Sequence, residues 1–208
     1  MNEELKNILE RVGCLYQKYG IKSITMDDVA RELGISKKTL YQYVTDKTDL
    51  VNKVYELEME KRKCDFEKIH DDSKNAIEDL IEVHRFVYQK MKEYNPSTEY
   101  DMRKYYPELN KKIQEQRHKN MYERVLENIK KGKQQGLYRT ELNEEIITQI
   151  TVTRSEISGG IENIGINEFN SPNFFTEIMI YHIRGIANEK GLKVLEENMD
   201  KLSNQIKS

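Results

Sequence analysis

The chain has few of the residues that interrupt helices or cross-link a fold. Its 208 residues include no tryptophan, three prolines and two cysteines. Charged residues make up 34% and hydrophobic residues 37%, and no stretch reaches the roughly 18 apolar residues that a membrane-spanning helix requires. This composition argues against a membrane protein and favours a soluble, largely helical protein of one or two domains.

The two cysteines, Cys14 and Cys64, lie far apart in the sequence and form no CxxC pair. We predict reduced thiols that fill core space, with a redox switch as the less favoured alternative. The first residues, MNEELKNILE, are acidic and amphipathic, unlike a signal peptide. These features predict a cytoplasmic protein with no membrane association.

Patterns typical of catalysis are also missing. The four histidines fall in separate segments without HExxH spacing, and the chain has neither a phosphate-binding glycine loop nor a nucleophile elbow. We therefore predict no catalytic residue, no metal site and no cofactor. An enzyme built on a helical scaffold is a third hypothesis, and it would require a pocket where titratable groups converge.

The most informative stretch is residues 25–50, TMDDVARELGISKKTLYQYVTDKTDL. Thr25 and Asp28 have the spacing of a capping box at a helix start. Gly34 suits the left-handed position that ends a helix, and Ser36 is a good N-cap for the next one. The stretch predicts two short helices joined by a tight turn, followed by the start of a third.

The second of these helices carries many donors and positive charges. Lysine supplies charge, serine and threonine supply short donors, and tyrosine supplies a rigid donor for a phosphate oxygen. Leu40 and Val44 would hold the helix on the core. This is the outline of a helix-turn-helix that reads DNA, and an ordinary helical hairpin with solvated lysines is the alternative. The candidate DNA-binding residues are Thr25, Ser36, Lys37, Lys38, Thr39, Tyr41, Gln42, Tyr43 and Lys47.

Several positions in this region carry a family signature. They are Ile8-Leu9, Gly20, Thr25, Asp28-Val29-Ala30, Leu33 to Lys37, Thr39-Leu40-Tyr41, Tyr43, Lys47 and Leu50. In this order and spacing they resemble the N-terminal domain of the TetR family of bacterial transcriptional regulators. Tyr16 and Val44 depart from the family's usual phenylalanines, and Lys38 replaces a commonly small residue, which puts the sequence preference in question.

The resemblance implies an all-α fold with two domains. Residues 1–47 would form a three-helix helix-turn-helix domain, and residues 48–208 a helical ligand-binding and dimerisation domain. The pattern agrees, because no alternating strand pattern or repeat occurs. Outside the helix-turn-helix, the predicted helices are residues 3–19, 47–70, 98–105, 107–135, 143–163, 172–187 and 189–205. One more helix, capped by Asp72 or Ser73, is predicted after the 47–70 helix.

The net charge of −2 is weak counter-evidence to DNA binding, because local distribution matters more than the sum. Lys22, Lys37, Lys38 and Lys47 lie in or beside the predicted reading surface. We therefore expect weak non-specific binding and an affinity that depends on a dimer.

The last two long helices are the candidates for dimerisation. Residues 172–187 have apolar side chains on more than one helical face, as a helix buried on both sides requires. Gly159 and Gly160 would permit close helix approach, or would mark a kink. We predict a homodimer through the helices around 143–163 and 172–187.

An aromatic and methionine-rich set around Pro96 and Pro107 suggests an adaptable pocket, with an ordinary core as the alternative. His84 lies on an apolar helix face, where a satisfied core histidine is the commoner case. Arg154 should face an interior or interface, in a salt bridge or as counter-ion to an anionic ligand. The candidate ligand-binding residues are His84, Tyr88, Met91, Met102, Tyr105, Met121, Tyr122 and Arg154.

These patterns converge on one hypothesis. We expect a homodimeric regulator that binds a palindromic operator in double-stranded DNA and acts as a repressor under the control of an unknown small-molecule effector. A helical adaptor that uses the same surfaces without touching DNA is the alternative.

Overall fold

A computed structural model describes residues 2–92, 95–160 and 172–203. Within these ranges every extended element is an α-helix, and one isolated bridge pairs Tyr138 with Ala187. The predicted all-α class is therefore confirmed. The helices are α1 Glu3–Tyr19, α2 Met26–Leu33, α3 Lys37–Leu40, α4 Lys47–Asp72, α5 Ala76–Lys92, α6 Pro96–Tyr105, α7 Pro107–Gln134, α8 Glu144–Gly160, α9 Pro172–Ile186, α10 Glu189–Glu197 and α11 Met199–Ser203.

Helix ends largely follow the predicted signals. The α1 helix has the predicted bounds. The Asp46 side chain accepts the Asp49 backbone N–H at 2.8 Å at the start of α4, and Gly136 adopts φ +67° after α7. Local capping chemistry therefore sets these boundaries.

Two predicted boundaries are wrong. The α4 helix continues through Asp72, so α5 starts at Ala76, where Asn75 accepts the backbone N–H groups of Ile77 and Glu78 at 3.0 Å each. The predicted last helix is two helices, because Asn198 ends α10. The ends of the predicted 143–163 and 189–205 helices lie outside the described residues.

The chain forms two compact units. The first comprises Met1–Phe66 and Lys92–Glu115, and the second comprises Glu67–Met91 and Gln116–Ser208. The α4 and α7 helices contribute residues to both. The first unit is thus larger than residues 1–47, and the functional boundary at residue 47 remains a prediction.

The first unit has one hydrophobic core. Val12 and Tyr16 of α1 are buried in it with Leu40 and Leu50. Met102 of α6 and several α7 residues join the same cluster, which is why this unit contains α6 and the start of α7. Burial of apolar area on this scale dominates the stability of such a unit.

The second unit buries a polar network beside its apolar core. The Asn128 amide donates to Asp79 Oδ2 at 2.7 Å and to the Ala76 carbonyl at 2.9 Å. The Tyr138 hydroxyl donates to Asn128 Oδ1 at 2.9 Å, and His70 Nδ1 lies 3.6 Å from Asp79 Oδ2. Asp79, Asn128 and Tyr138 thereby satisfy one another, so the network fixes α5 against α7.

The prediction that the cysteines fill core space is wrong. Cys14 and Cys64 are both free and exposed. The apolar stripe of α1 is made by neighbouring residues such as Val12 and Tyr16, so Cys14 falls on the solvent side.

Gly132 provides a test of packing in the second unit. A Cβ at this position would lie 2.1 Å from ring atoms of Tyr138, whose side chain is fully buried and hydrogen-bonded. We expect Gly132→Ala to lower the free energy of unfolding by about 1–3 kcal/mol or more, measured by urea denaturation.

Gly185→Ala is the matched control, because a Cβ there meets no heavy atom of the described residues within 4 Å. It should change the free energy of unfolding by less than about 1 kcal/mol. Equal effects of the two substitutions would contradict the packing argument.

Candidate nucleic-acid interface

The α2 helix starts at a complete capping box, as predicted. The Thr25 hydroxyl accepts the Asp28 N–H at 3.1 Å, and Asp28 Oδ2 accepts the Thr25 N–H at 2.9 Å. The Thr25 hydroxyl also donates to Asp28 Oδ2 at 2.6 Å, and this bond, followed by the one from the Thr25 backbone N–H, lowers the pKa of Asp28. The carboxylate is therefore held charged at the positive end of the helix dipole.

The turn between α2 and α3 depends on Gly34. Its φ of +71° and ψ of 26° lie in the left-handed region, which residues with a Cβ rarely adopt. The Ile35 N–H reaches back to the Ala30 carbonyl at 3.0 Å. This closing bond fixes the angle between the two helices.

The α3 helix is held at one end by a cap and on one face by the core. Ser36 Oγ accepts the Thr39 N–H at 3.0 Å, and Leu40 and Val44 are buried. Tyr41 is 48% exposed. The other residues predicted to contact DNA from this helix are also accessible. The side chains of Ser36, Lys37, Lys38 and Gln42 are exposed, and that of Thr39 is half-buried.

The predicted length of the reading helix needs correction. Only Lys37–Leu40 is α-helical, and the chain then tightens into a turn. The Gln42 N–H bonds to the Thr39 carbonyl at 3.1 Å and the Tyr43 N–H to the Leu40 carbonyl at 3.0 Å. These bonds span three residues, so Tyr41, Gln42 and Tyr43 lie on a 3₁₀-like continuation.

The predicted contact residues Lys37 and Tyr43 already have side-chain partners in the protein. Lys37 Nζ lies 2.7 Å from the exposed Asp27 carboxylate. The Tyr43 hydroxyl donates to the Glu4 carboxylate, which raises the pKa of Tyr43. Both partners are on the surface, where such bonds are weak and exchangeable.

Lys47 has a structural role that the sequence did not indicate. Its Nζ donates to the Ile21 carbonyl at 2.7 Å and to the Lys22 carbonyl at 3.4 Å. Burial lowers the pKa of Lys47, and the nearby Lys22 charge adds to that effect. Lys47 therefore braces the loop between α1 and α2, with one of its three N–H donors remaining.

Sequence reasoning missed a contact between α6 and the end of α1. The Asn95 amide donates to the Gln17 carbonyl at 2.7 Å, and the Thr98 hydroxyl donates to the Tyr16 carbonyl at 2.8 Å. Asp101 Oδ2 accepts the Lys22 N–H at 2.7 Å. The sequence predicted a helix over residues 98–105, whereas α6 starts at Pro96 with Asn95 as its N-cap.

The predicted ligand-binding residues do not all belong to one unit. Met102 is buried in the core of the first unit and Tyr105 is exposed there. The other described residues belong to the second unit, and the side chain of Met91 lies outside the described residues. They are His84, Tyr88, Met121, Tyr122 and Arg154.

His84 is buried, as predicted, and contacts α9. Its Nε2 lies 3.3 Å from Thr176 Oγ1, and its ring stacks on Phe175 with centroids 4.4 Å apart. Among the described residues its Nδ1 has no hydrogen-bond partner. Burial lowers the pKa of His84 to about 4, so the imidazole is neutral near pH 7.

His182 is a buried polar residue that the sequence did not single out. Burial, and then the charge of Arg154, lower its pKa to about 4. Arg154 is itself half-buried, as its helical position predicted. An open groove of about 510 Å³ in the second unit contains none of the predicted residues and is lined by His70, Glu123, Leu126, Glu127, Lys130, Lys131 and Gln134.

Two structural searches cover the described residues only. None of the described helices combines the length and hydropathy needed to cross a bilayer. Across the same ranges, His, Cys, Asp and Glu side chains nowhere form a group of three or more suited to a metal ion.

The capped helices, glycine turn and exposed donors define the first unit's site as a helix-turn-helix of the DNA-reading class. Residues 14–54 match the family described as bacterial regulatory proteins, tetR family. The match relates this domain of the chain to the DNA-binding domain of TetR-family transcriptional regulators.

A related sequence is an HTH-type transcriptional regulator of Staphylococcus aureus (strain USA300), 34% identical over 70 residues. The match spans 34% of this chain and 38% of that protein. The match therefore leaves most of both chains uncompared.

Solved structures show the same fold over most of the chain. A TetR transcription regulator from Haloarcula marismortui has a TM-score of 0.73 at 15% identity and covers 90% of this chain and 100% of its own. A transcriptional regulator from Cytophaga hutchinsonii has a TM-score of 0.71 at 18% identity with the same coverage. A regulator from Saccharomonospora viridis, solved in complex with choline, has a TM-score of 0.63 at 16% identity and covers 91% and 100%.

Tyr41 tests the phosphate role of the reading surface. We expect Tyr41→Phe to weaken binding to all duplex sequences by a similar factor, because a phosphate contact carries no sequence information. Fluorescence anisotropy with specific and unrelated duplexes measures this. Tyr43→Phe is the matched control with a smaller expected effect, and an altered sequence preference in Tyr41→Phe would contradict the phosphate role.

His84 and His182 predict acid sensitivity. Between about pH 6.5 and pH 4 the unfolded chain binds protons that the folded chain does not, so stability falls as pH falls through this window. We expect His84→Gln to reduce the slope of unfolding free energy against pH by about 1.4 kcal/mol per pH unit, one proton's worth. Urea denaturation at several pH values gives this slope, and an unchanged slope would contradict the assignment.

Proposed function

We propose that this chain is a dimeric, ligand-responsive repressor that binds a palindromic operator. The observation that carries the proposal is the exposed set of donors on a rigidly capped α3. The Ser36–Tyr43 surface of each protomer would enter one of two successive major grooves. Lys37, Lys38, Thr39 and Gln42 would contact base edges, while Tyr41 and Lys47 would contact phosphates.

The second unit supports dimerisation through its surface. Ile146 and Ile150 lie one turn apart on α8 and are each 57% exposed, and Tyr181 on α9 is 77% exposed. Large apolar side chains exposed together on long helices indicate a partner. A second copy of the chain would cover them and would place two reading surfaces on one operator.

Effector control is supported by the polar interior of the second unit. His84 offers an unpartnered Nδ1 beside an aromatic ring, and ligand sites combine apolar walls with a few such polar groups. The α4 helix runs without interruption from Lys47 to Asp72. A ligand that shifts this helix would change the spacing of the reading surfaces, which must match half-sites about 34–36 Å apart.

Selection of the purified protein against a random duplex library at near-physiological salt tests the proposal. We expect enrichment of an inverted repeat whose half-sites lie about one helical turn apart. A folded dimer that enriches no sequence, and whose binding lacks a strong salt dependence, would instead support the adaptor hypothesis.

The proposed dimer surface gives a separate prediction. We expect Ile150→Glu to convert the dimer to a monomer and to weaken operator binding, because it places a charge in an apolar contact. Sedimentation velocity measures the oligomeric state.

Gln149→Glu is the matched control, because it adds the same charge at an exposed neighbour on α8. It should leave the dimer intact. A monomeric wild-type chain, or an Ile150→Glu variant that dimerises normally, would contradict the proposed interface.

A further inference from the structure

A basic and aromatic patch lies on the first unit outside the predicted reading residues. We define it as Lys22, Tyr100, Lys104 and Tyr105. Lys22 belongs to the loop between α1 and α2, and the other three belong to α6. Tyr100 is 51% and Tyr105 is 41% exposed, and both lysines are exposed.

Two ammonium groups converge on one ring in this patch. Lys22 Nζ lies 4.6 Å from the Tyr105 ring centroid, and Lys104 Nζ lies 5.4 Å from the same centroid. Lys104 also donates to the Tyr100 hydroxyl at 2.9 Å. The ring quadrupole attracts both cations, but the cations repel each other, and a shared anion would relieve that repulsion.

The patch keeps its positive charge and most of its donors. Within the ranges that the structure describes, neither Lys22 nor Lys104 forms a salt bridge. The hydrogen bond to Tyr100 raises the pKa of Lys104. Asp101 is buried and directs one oxygen to the backbone N–H of Lys22. Each ammonium has three N–H donors, so donors remain for an anion.

The patch is continuous with the start of the helix-turn-helix. Lys22 precedes the α2 N-cap Thr25 by three residues, and its carbonyl accepts from Lys47 Nζ. The first helix of such a motif crosses the DNA backbone, with its N-terminal end close to phosphates. Asp101 accepts the Lys22 N–H and Lys47 donates to the Lys22 carbonyl, so the Lys22 backbone is fixed next to the start of α2.

We propose that this patch binds phosphates of the DNA backbone adjacent to those contacted by α2 and α3, an inference that rests on the proposed DNA-binding function. Lys22 and Lys104 hold one phosphate region between them, and the two tyrosine rings position the ammonium groups. The patch adds affinity without sequence information, because its chemistry recognises only the backbone charge.

Salt dependence tests this assignment. The logarithm of the association constant is measured against the logarithm of salt concentration for the wild type and for Lys104→Gln, with the selected duplex and with an unrelated one. Each lost phosphate contact removes about 0.9 from the slope. We expect a loss of about 0.9 per protomer, about 1.8 for a dimer, on both duplexes, with the sequence preference unchanged.

Two further variants complete the design. Lys193→Gln removes the same charge from an exposed position on α10 and should leave the slope unchanged. Tyr105→Phe retains the ring and should bind as the wild type does, whereas Tyr105→Leu removes the ring that both lysines contact and should weaken binding. Circular dichroism confirms that each variant is folded.

The outcomes separate the two proposals. If the wild type binds DNA and Lys104→Gln leaves the slope unchanged, the patch assignment is overturned and the proposed function stands. The patch would then be assigned to contact with an acidic protein surface. A wild type that binds neither duplex would overturn both. An equal loss of slope in Lys193→Gln would also overturn the patch assignment, because the loss would then reflect the overall charge of the protein.

Discussion

The carbonyl groups at the C-terminal end of α1 impose the constraint on which the first unit depends. A helix leaves its last carbonyls without partners in the helix, and here α6 supplies donors to Tyr16 and Gln17. Asp101 then holds the following loop through the Lys22 N–H. The loop that leads into α2 is thus fixed from a segment about eighty residues away in sequence, so the DNA-reading surface is not an isolated N-terminal module.

Within that frame the reading surface is rigid for local reasons. Side-chain caps at Thr25 and Ser36 satisfy the free N–H groups of two short helices, and Gly34 permits the turn between them. Leu40 anchors α3 from below. Rigid placement reduces the entropy lost on binding, so a helix of only one turn is sufficient to present its side chains to a groove.

The second unit differs from the first in the polar groups that it buries beside its apolar core. Its interior contains the Asp79–Asn128–Tyr138 network, whose members satisfy one another, and His84, which has an unpartnered nitrogen. A satisfied network holds helices in one arrangement. An unsatisfied buried group instead costs free energy, which is why the effector site is proposed at His84 and not at this network.

The sequence by itself determined the helical class, most helix ends and the helix-turn-helix, because capping boxes, glycine turns and apolar periodicity act over fewer than five residues. It also indicated that His84 is buried. Only the tertiary structure decided that Met102 belongs to the DNA-reading unit and that Cys14 is exposed, because both depend on which distant segments pack together. The same holds for Lys47, Asp101 and the Lys22–Lys104 patch: they contact residues 25 to 83 positions away in sequence, beyond any local pattern.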